Sequence, residues 1–256
     1  MNNKSSLYLT EGMQNHILRL NRLVSESGIP KNRVYGILPC TFISNLKKGD
    51  ASDFLDVIYQ YITENTPDVV NFKGDNPVIH ITPQYSEKLS ALKGTLYDTM
   101  SDHAGIGAQF RGIAMVSLDE WAEDCSSANF SEVIDYIVSL FNNSLIFFTC
   151  EGCRDSARLI KALSKMIMIE AYDFCDRTET ELKGLVNEYM RRFNYDPDEA
   201  ETDYILDKCR QMLKNNEFSC NSLILTCKKI IYQKLAYLTE KEKSYHEIKQ
   251  TGEIYI

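Results

Sequence analysis

Five short apolar runs, each bounded by segments with helical periodicity, constrain the fold of this chain more than any other feature. The runs are Val34–Leu38, Val78–Thr82, Ile113–Leu118, Ser144–Thr149 and Met166–Ile169. A helix over residues 10–27 precedes the first, with Leu18, Leu20, Leu23 and Val24 at helical spacing. Phe54, Leu55, Ile58, Tyr59 and Ile62 follow the first run, capped by Ser52. A helix from Ser86 to Met100 follows the second, Val133, Ile134, Ile137 and Leu140 follow the third, and 154–164 follows the fourth. Strands separated by helices pair in parallel, because each return to the same edge of a sheet needs a crossover. The pattern predicts a five-stranded parallel α/β sheet flanked by helices on both faces.

Beyond residue 176 the pattern changes. Residues 179–193, 199–214 and 222–238 have helical periodicity with no strand between them. The expected organisation is an α/β core over 1–176, an all-helical unit over 177–238 and a polar tail over 239–256.

Charge and cysteine usage narrow the function classes. The net charge of −8 opposes sequence-independent binding to nucleic acid or to an anionic bilayer, since both require a basic field. The expectation is no nucleic acid and no membrane partner. No apolar leader opens the chain, and no run approaches the roughly 18 apolar residues of a membrane span, which predicts a cytoplasmic protein. Its eight cysteines then read as reduced thiols.

The third apolar run delivers two acids, Asp119 and Glu120, to its end. A short strand ending in Asp-Glu is how ring-forming ATPases place a magnesium-orienting Asp beside a water-polarising Glu. The plain alternative is that the pair caps the next helix, where exposed amides favour acids. Trp121 beside it reads as a packing or interface aromatic. The chemistry of the first reading also needs a G-x-x-x-x-G-K-[ST] loop to cradle the phosphates, and none occurs. After the first run stands Leu38-Pro39-Cys40-Thr41-Phe42-Ile43-Ser44-Asn45, with no glycine, no lysine in register and a proline lacking its N–H.

Cys150-Glu-Gly-Cys153 is a second motif, since a dithiol between a strand and a helix N-terminus can form a redox site. A thioredoxin-like site also needs a facing cis-proline, and the one proline after residue 153 is Pro197, in a helical region. No second Cys pair accompanies this one and His16, His80, His103 and His246 are scattered, so no metal is expected. Gly105-Ile-Gly107 is too short to cradle phosphate. The acidic stretch Asp196–Asp203 reads as a helix start rather than a calcium loop, which wants a central glycine.

This order of elements resembles the AAA+ ATPases, and within them the subgroup of red-type Rubisco activases and stage V sporulation protein K. The likeness covers roughly residues 10–236. It implies that Asp119 and Glu120 are a Walker B remnant, that Thr149 stands at the sensor-1 position, and that Arg154 and Arg158 lie where an inter-subunit arginine would act. It implies a degenerate nucleotide loop built from Pro39, Cys40, Thr41 and Ser44, and a lid helix opening near Phe218–Ser222, with Ser222 in place of the lid arginine. The expectation is a pseudo-ATPase with a helical lid and no required cofactor beyond weak ATP and magnesium. Its partners would be an active AAA+ paralogue or further copies of itself. Two rivals stand beside it: an active ATPase using Lys47-Lys48-Gly49 folded back to the phosphates, and a Cys150/Cys153 dithiol oxidoreductase.

Overall fold

A computed structural model describes residues 9–26, 35–65, 78–84, 89–104 and 110–251. In these residues the chain forms five strands and eight α-helices. The first compact unit, Met1–Arg177, contains α1 (Glu11–Glu26), β1 (Cys40–Ser44), α2 (Lys48–Asn65), β2 (Val78–Ile81), α3 (Leu89–Ala104) and β3 (Ile113–Ser117). It continues with α4 (Ala128–Leu140), β4 (Leu145–Cys150), α5 (Cys153–Leu163) and β5 (Ile169–Asp173). The second unit, Thr178–Ile256, contains α6 (Glu179–Arg192), α7 (Glu199–Lys214) and α8 (Cys220–Thr251).

All strand pairs are parallel, in the order β2-β3-β4-β1-β5. The central strands β1 and β4 are buried at every residue, as expected where helices cover both faces. Alternate residues supply the two faces. Phe42, Ala114, Val116, Ile146 and Phe148 join Leu92 and Leu96 of α3, Val133, Ile134 and Ile137 of α4, and Leu159 and Leu163 of α5 in one core cluster. On the opposite face His16 of α1 meets Thr41, with Nε2 to Oγ1 at 2.8 Å. The right-handed crossover rule separates these layers: β1 connects to β2 in one direction along the sheet, whereas β2, β3 and β4 each connect onward in the other.

Two strands stand elsewhere than the sequence reading places them. The first strand is Cys40–Ser44, not Val34–Leu38; Tyr35–Ile37 is a short 3-10 turn, and Val34 lies outside the described residues. Pro39 acts as the entry to the strand instead of its stop. Its missing N–H falls just before the ladder, which begins with the Cys40 N–H donating to the Met168 carbonyl at 2.9 Å. Cys40, Thr41 and Ser44, expected in a loop, are therefore central-strand residues. The fifth strand is Ile169–Asp173, a half-buried edge strand paired only with β1, rather than the more apolar Met166–Ile169. The helix after β1 begins at Lys48, four residues before Ser52. The expected start of α3 at Ser86 falls within residues 85–88, which lie outside the described residues.

In the second unit α6 and α7 each open on a capping box, Thr178 with Glu181 and Asp198 with Glu201. Leu182, Leu185, Val186 and Met190 of α6, Ile205, Leu206 and Cys209 of α7, and Leu223 and Cys227 of α8 are all buried. No described helix is long and apolar enough to cross a membrane.

Candidate functional site

The sheet order creates one topological switch point. Neighbouring strands β1 and β4 send the chain in opposite directions, and ligands of open α/β sheets bind in the crevice outside the carboxyl ends of such strands. Asn45, Leu46 and Lys47 follow β1 there, Glu151 and Gly152 follow β4, and Leu118 and Asp119 follow β3.

Side chains already span this crevice. The first helical N–H of α2, that of Lys48, donates to the Glu151 carboxylate. Lys47 Nζ donates to the Glu151 carbonyl at 3.4 Å. The Glu151 N–H in turn donates to Asp119 Oδ1 at 2.7 Å, and Ser117 Oγ donates to Asp119 Oδ2 at 2.7 Å. The ends of β1, β4 and β3 are thus laced together by two acids. On the β5 side, Asn45 Nδ2 donates to both oxygens of Asp173, each at 2.9 Å. Asn45 adopts the left-handed conformation, φ 60°, which Asn tolerates better than most side chains. Its Oδ1 is buried with no hydrogen-bond partner among the described residues.

The connection after β1 differs from a phosphate-binding loop. Only three residues separate the end of β1 from the first residue of α2, too few for the eight-residue cradle of a phosphate loop. The helix N-terminus that would receive phosphate oxygens already receives the Glu151 carboxylate. A phosphate at that spot would face the carboxylate of Glu151, with Asp119 held close by through the Glu151 amide. Nor is any group of three or more His, Cys, Asp or Glu placed to hold a metal ion among the described residues.

The expected site residues divide accordingly. Asp119 and Glu120 are exposed in a 3-10 turn, Asp119–Trp121, and Asp119 braces the Glu151 amide rather than capping a helix. Trp121 is a core residue, fully buried, with Nε1 donating to the Pro83 carbonyl at 2.7 Å and its ring 5.7 Å from that of Phe130. Thr149 is buried within β4, opposite Ser117 and Ile43, and its carbonyl accepts the Leu118 N–H at 2.9 Å. Arg154 lies in the first turn of α5, and its side chain lies outside the described residues. Arg158 is exposed on the same helix. Ser222 stands in the first turn of α8, where its N–H donates to Ser219 Oγ at 2.9 Å, a helix-capping contact. Lys48 begins α2, and Lys47 stands in the three-residue connection before it.

For the dithiol reading, only the Cys150 side chain lies within the described residues. Burial pushes the Cys150 thiol up to about 12, the opposite of the depressed value that thiolate chemistry requires. Gly152 serves the turn: an added Cβ would stand 2.9 Å from Asp155 Oδ2. Sequence reasoning missed Glu151 and Asn45. The available signal was their position, each at the end of a fully buried strand.

No protein-family model matches the chain, and no curated protein matches it in sequence. Solved structures are similar to it at low identity. PCH-2 of C. elegans is 10% identical, with 90% of this chain and 70% of that one covered and a TM-score of 0.47. A RuvB point variant of Thermotoga maritima is 12% identical, covering 88% and 72%, with a TM-score of 0.44. A replication initiator DnaA, described as bound to AMPPCP and single-stranded DNA, is 12% identical, covering 95% and 74%, with a TM-score of 0.40. The class is defined at the level of fold: a five-stranded parallel α/β sheet flanked by helices, followed by a helical C-terminal unit. The expectation of no nucleic-acid partner is corrected by the same comparison. The replication initiator DnaA named above is described as bound to single-stranded DNA, which stands against that expectation.

Proposed function

We propose that this chain is a catalytically degenerate AAA+ module, close to the red-type Rubisco activase and stage V sporulation protein K subgroup, acting as a structural or regulatory subunit of an oligomeric assembly or remodelling complex. The carrying observation is the Glu151 carboxylate on the Lys48 amide, at the helix N-terminus where phosphate would sit. An internal anion there competes directly with an external one. Charge-assisted hydrogen bonds are worth roughly 1.5–3 kcal/mol each, so three lost phosphate contacts remove on the order of 5 kcal/mol. That corresponds to a factor of about a thousand or more in affinity. In this reading the helical unit keeps the place of the lid, and the complementing subunit is an active AAA+ paralogue or another copy of this chain.

The test is equilibrium binding and turnover of labelled ATP with magnesium, using the full chain and its Glu151→Ala and Glu120→Gln variants. The expected result is no saturable binding in the micromolar range and no hydrolysis by the parent protein, with tighter nucleotide binding in Glu151→Ala. Micromolar binding by the parent protein with magnesium-dependent turnover, lost in Glu120→Gln, overturns the proposal.

A further inference from the structure

Away from the switch point, on the first unit, a groove of about 590 Å³ lies between α5 and the segment that leads into α4. Its volume falls within the roughly 300–1,000 Å³ typical of ligand sites. Arg158, Lys161 and Lys165 line it, together with Ser126, Ser131 and a single acid, Glu123. It shares no residue with the Glu151–Asp119 lacing.

The three cations share one flank because of helical spacing. Arg158 and Lys161 are three residues apart on α5, and the turn after Leu163 keeps helical hydrogen bonding, with Ser164 N–H on the Ile160 carbonyl at 2.9 Å and Lys165 N–H on the Ala162 carbonyl at 3.2 Å. Positions at intervals of three and four repeat on one helix face. Each of the three side chains is exposed, and among the described residues none forms a salt bridge. Other cations such as Lys214, Lys228 and Lys229 also form no salt bridge among the described residues, and what distinguishes these three is that they line one groove.

We propose that this groove binds a phosphate-bearing ligand. Three cations against one carboxylate leave two positive charges uncompensated. A single carboxylate partner would neutralise only one of them, whereas a phosphate monoester carries about −1.5 to −2 at neutral pH. The donor set also fits tetrahedral oxyanions: a planar guanidinium fork, two ammonium groups and the Ser126 hydroxyl offer donors in several directions to three or more acceptor oxygens, while Ser131 Oγ donates to the Ser127 carbonyl at 3.4 Å. The phosphate can come from a compact polyphosphate or nucleotide, or from the backbone of a single nucleic-acid strand running along the cation row.

Fluorescence titration of the full chain with inorganic tripolyphosphate, with a labelled single-stranded oligonucleotide and with poly-glutamate tests the assignment. The expected result is saturable binding of tripolyphosphate or of the oligonucleotide. Replacing the cations together, Arg158→Gln, Lys161→Gln and Lys165→Gln, weakens it by about tenfold or more, consistent with three modest exposed ion contacts. A charge-matched set in the second unit, Lys214→Gln, Lys228→Gln and Lys229→Gln, leaves it unchanged. If the strand is the ligand, log affinity falls with log salt at a slope of about −2, from about 0.7 per neutralised phosphate. If the compact phosphate is the ligand, tripolyphosphate binds and the oligonucleotide does not. Failure of both phosphate probes to bind, equal loss in both variant sets, or poly-glutamate binding as tightly as tripolyphosphate overturns the proposal.

Discussion

Replacing Asp119 separates a structural brace from a catalytic remnant. Its carboxylate accepts two hydrogen bonds, from the Glu151 N–H and from Ser117 Oγ, both at 2.7 Å. Bonds to a charged group are worth roughly 1.5–3 kcal/mol each when water is excluded. Asp119 is exposed, so water competes for the same donors, and the combined contribution falls to about 1–2 kcal/mol. For a unit of this size each kcal/mol moves the midpoint by roughly 2–4 °C. Asp119→Ala should therefore lower the melting midpoint of the first unit by about 2–8 °C.

The informative comparison is Asp119→Asn. An Asn side chain still accepts from the Glu151 amide and can pair with Ser117, so bracing is recovered by half or more, whereas a magnesium-orienting charge is not. Ser117→Ala should cost less than Asp119→Ala, and the two together less than their sum, because they remove a shared contact. Thermal and urea unfolding of the four proteins, followed by circular dichroism, measures this. The reasoning is refuted if Asp119→Ala leaves the midpoint unchanged while Asp119→Ala and Asp119→Asn alike abolish a magnesium-dependent ATPase activity.

Three other outcomes follow from the packing. Burial holds His16 down at about 4, outweighing the attraction of Glu170, so the unfolded chain takes up its proton first. Stability is then complete above the ordinary value of 6.5 and falls as pH drops from about 6.5 towards 4, by on the order of 3 kcal/mol; His16→Gln should flatten that stretch of a urea-stability profile, and an unchanged slope would exclude the buried neutral ring. With its thiol at about 12, Cys150 should react very slowly with iodoacetamide at neutral pH in the folded protein, and rapid labelling there by mass spectrometry would restore the dithiol reading. Trp121→Phe leaves the buried Pro83 carbonyl without its donor and should cost about 1–3 kcal/mol in denaturant unfolding; a change below about 0.5 kcal/mol would show that the bond does not hold the turn after β3.

Much of the fold was legible because its signals are local. β2, β3 and β4 are continuous apolar runs, and the three helices of the second unit show their periodicity plainly, with caps such as Thr178 and Asp198 at their starts. The failures have non-local causes. Pro39 permits either a strand end or a strand entry, and pairing with Met168, more than a hundred residues away, selects the second. β5 carries Glu170 and Tyr172 because it is an edge strand, so its hydrophobicity falls below that of the turn before it. α2 starts at Lys48 under a cap from Glu151, and no short-range rule finds a cap supplied by another strand's end. The same limit hid the site: Asp119 was visible as an acid at a strand end, but its partner was not.

That partner changes what the acids at the crevice can do. In a working motor a carboxylate after the third strand has to keep its oxygens available for metal-bound water, and the helix after the first strand has to keep its amides available for phosphate. Here Asp119 is held by Ser117 and the Glu151 amide, and the leading amide of α2 is held by Glu151 itself. One residue, Glu151, joins the two contacts. A nucleotide would have to break both contacts before making its own, and breaking them loosens the ends of three strands at once. The crevice is thus spanned by its own side chains, and Asp119 and Glu151 tie together the ends of β1, β3 and β4.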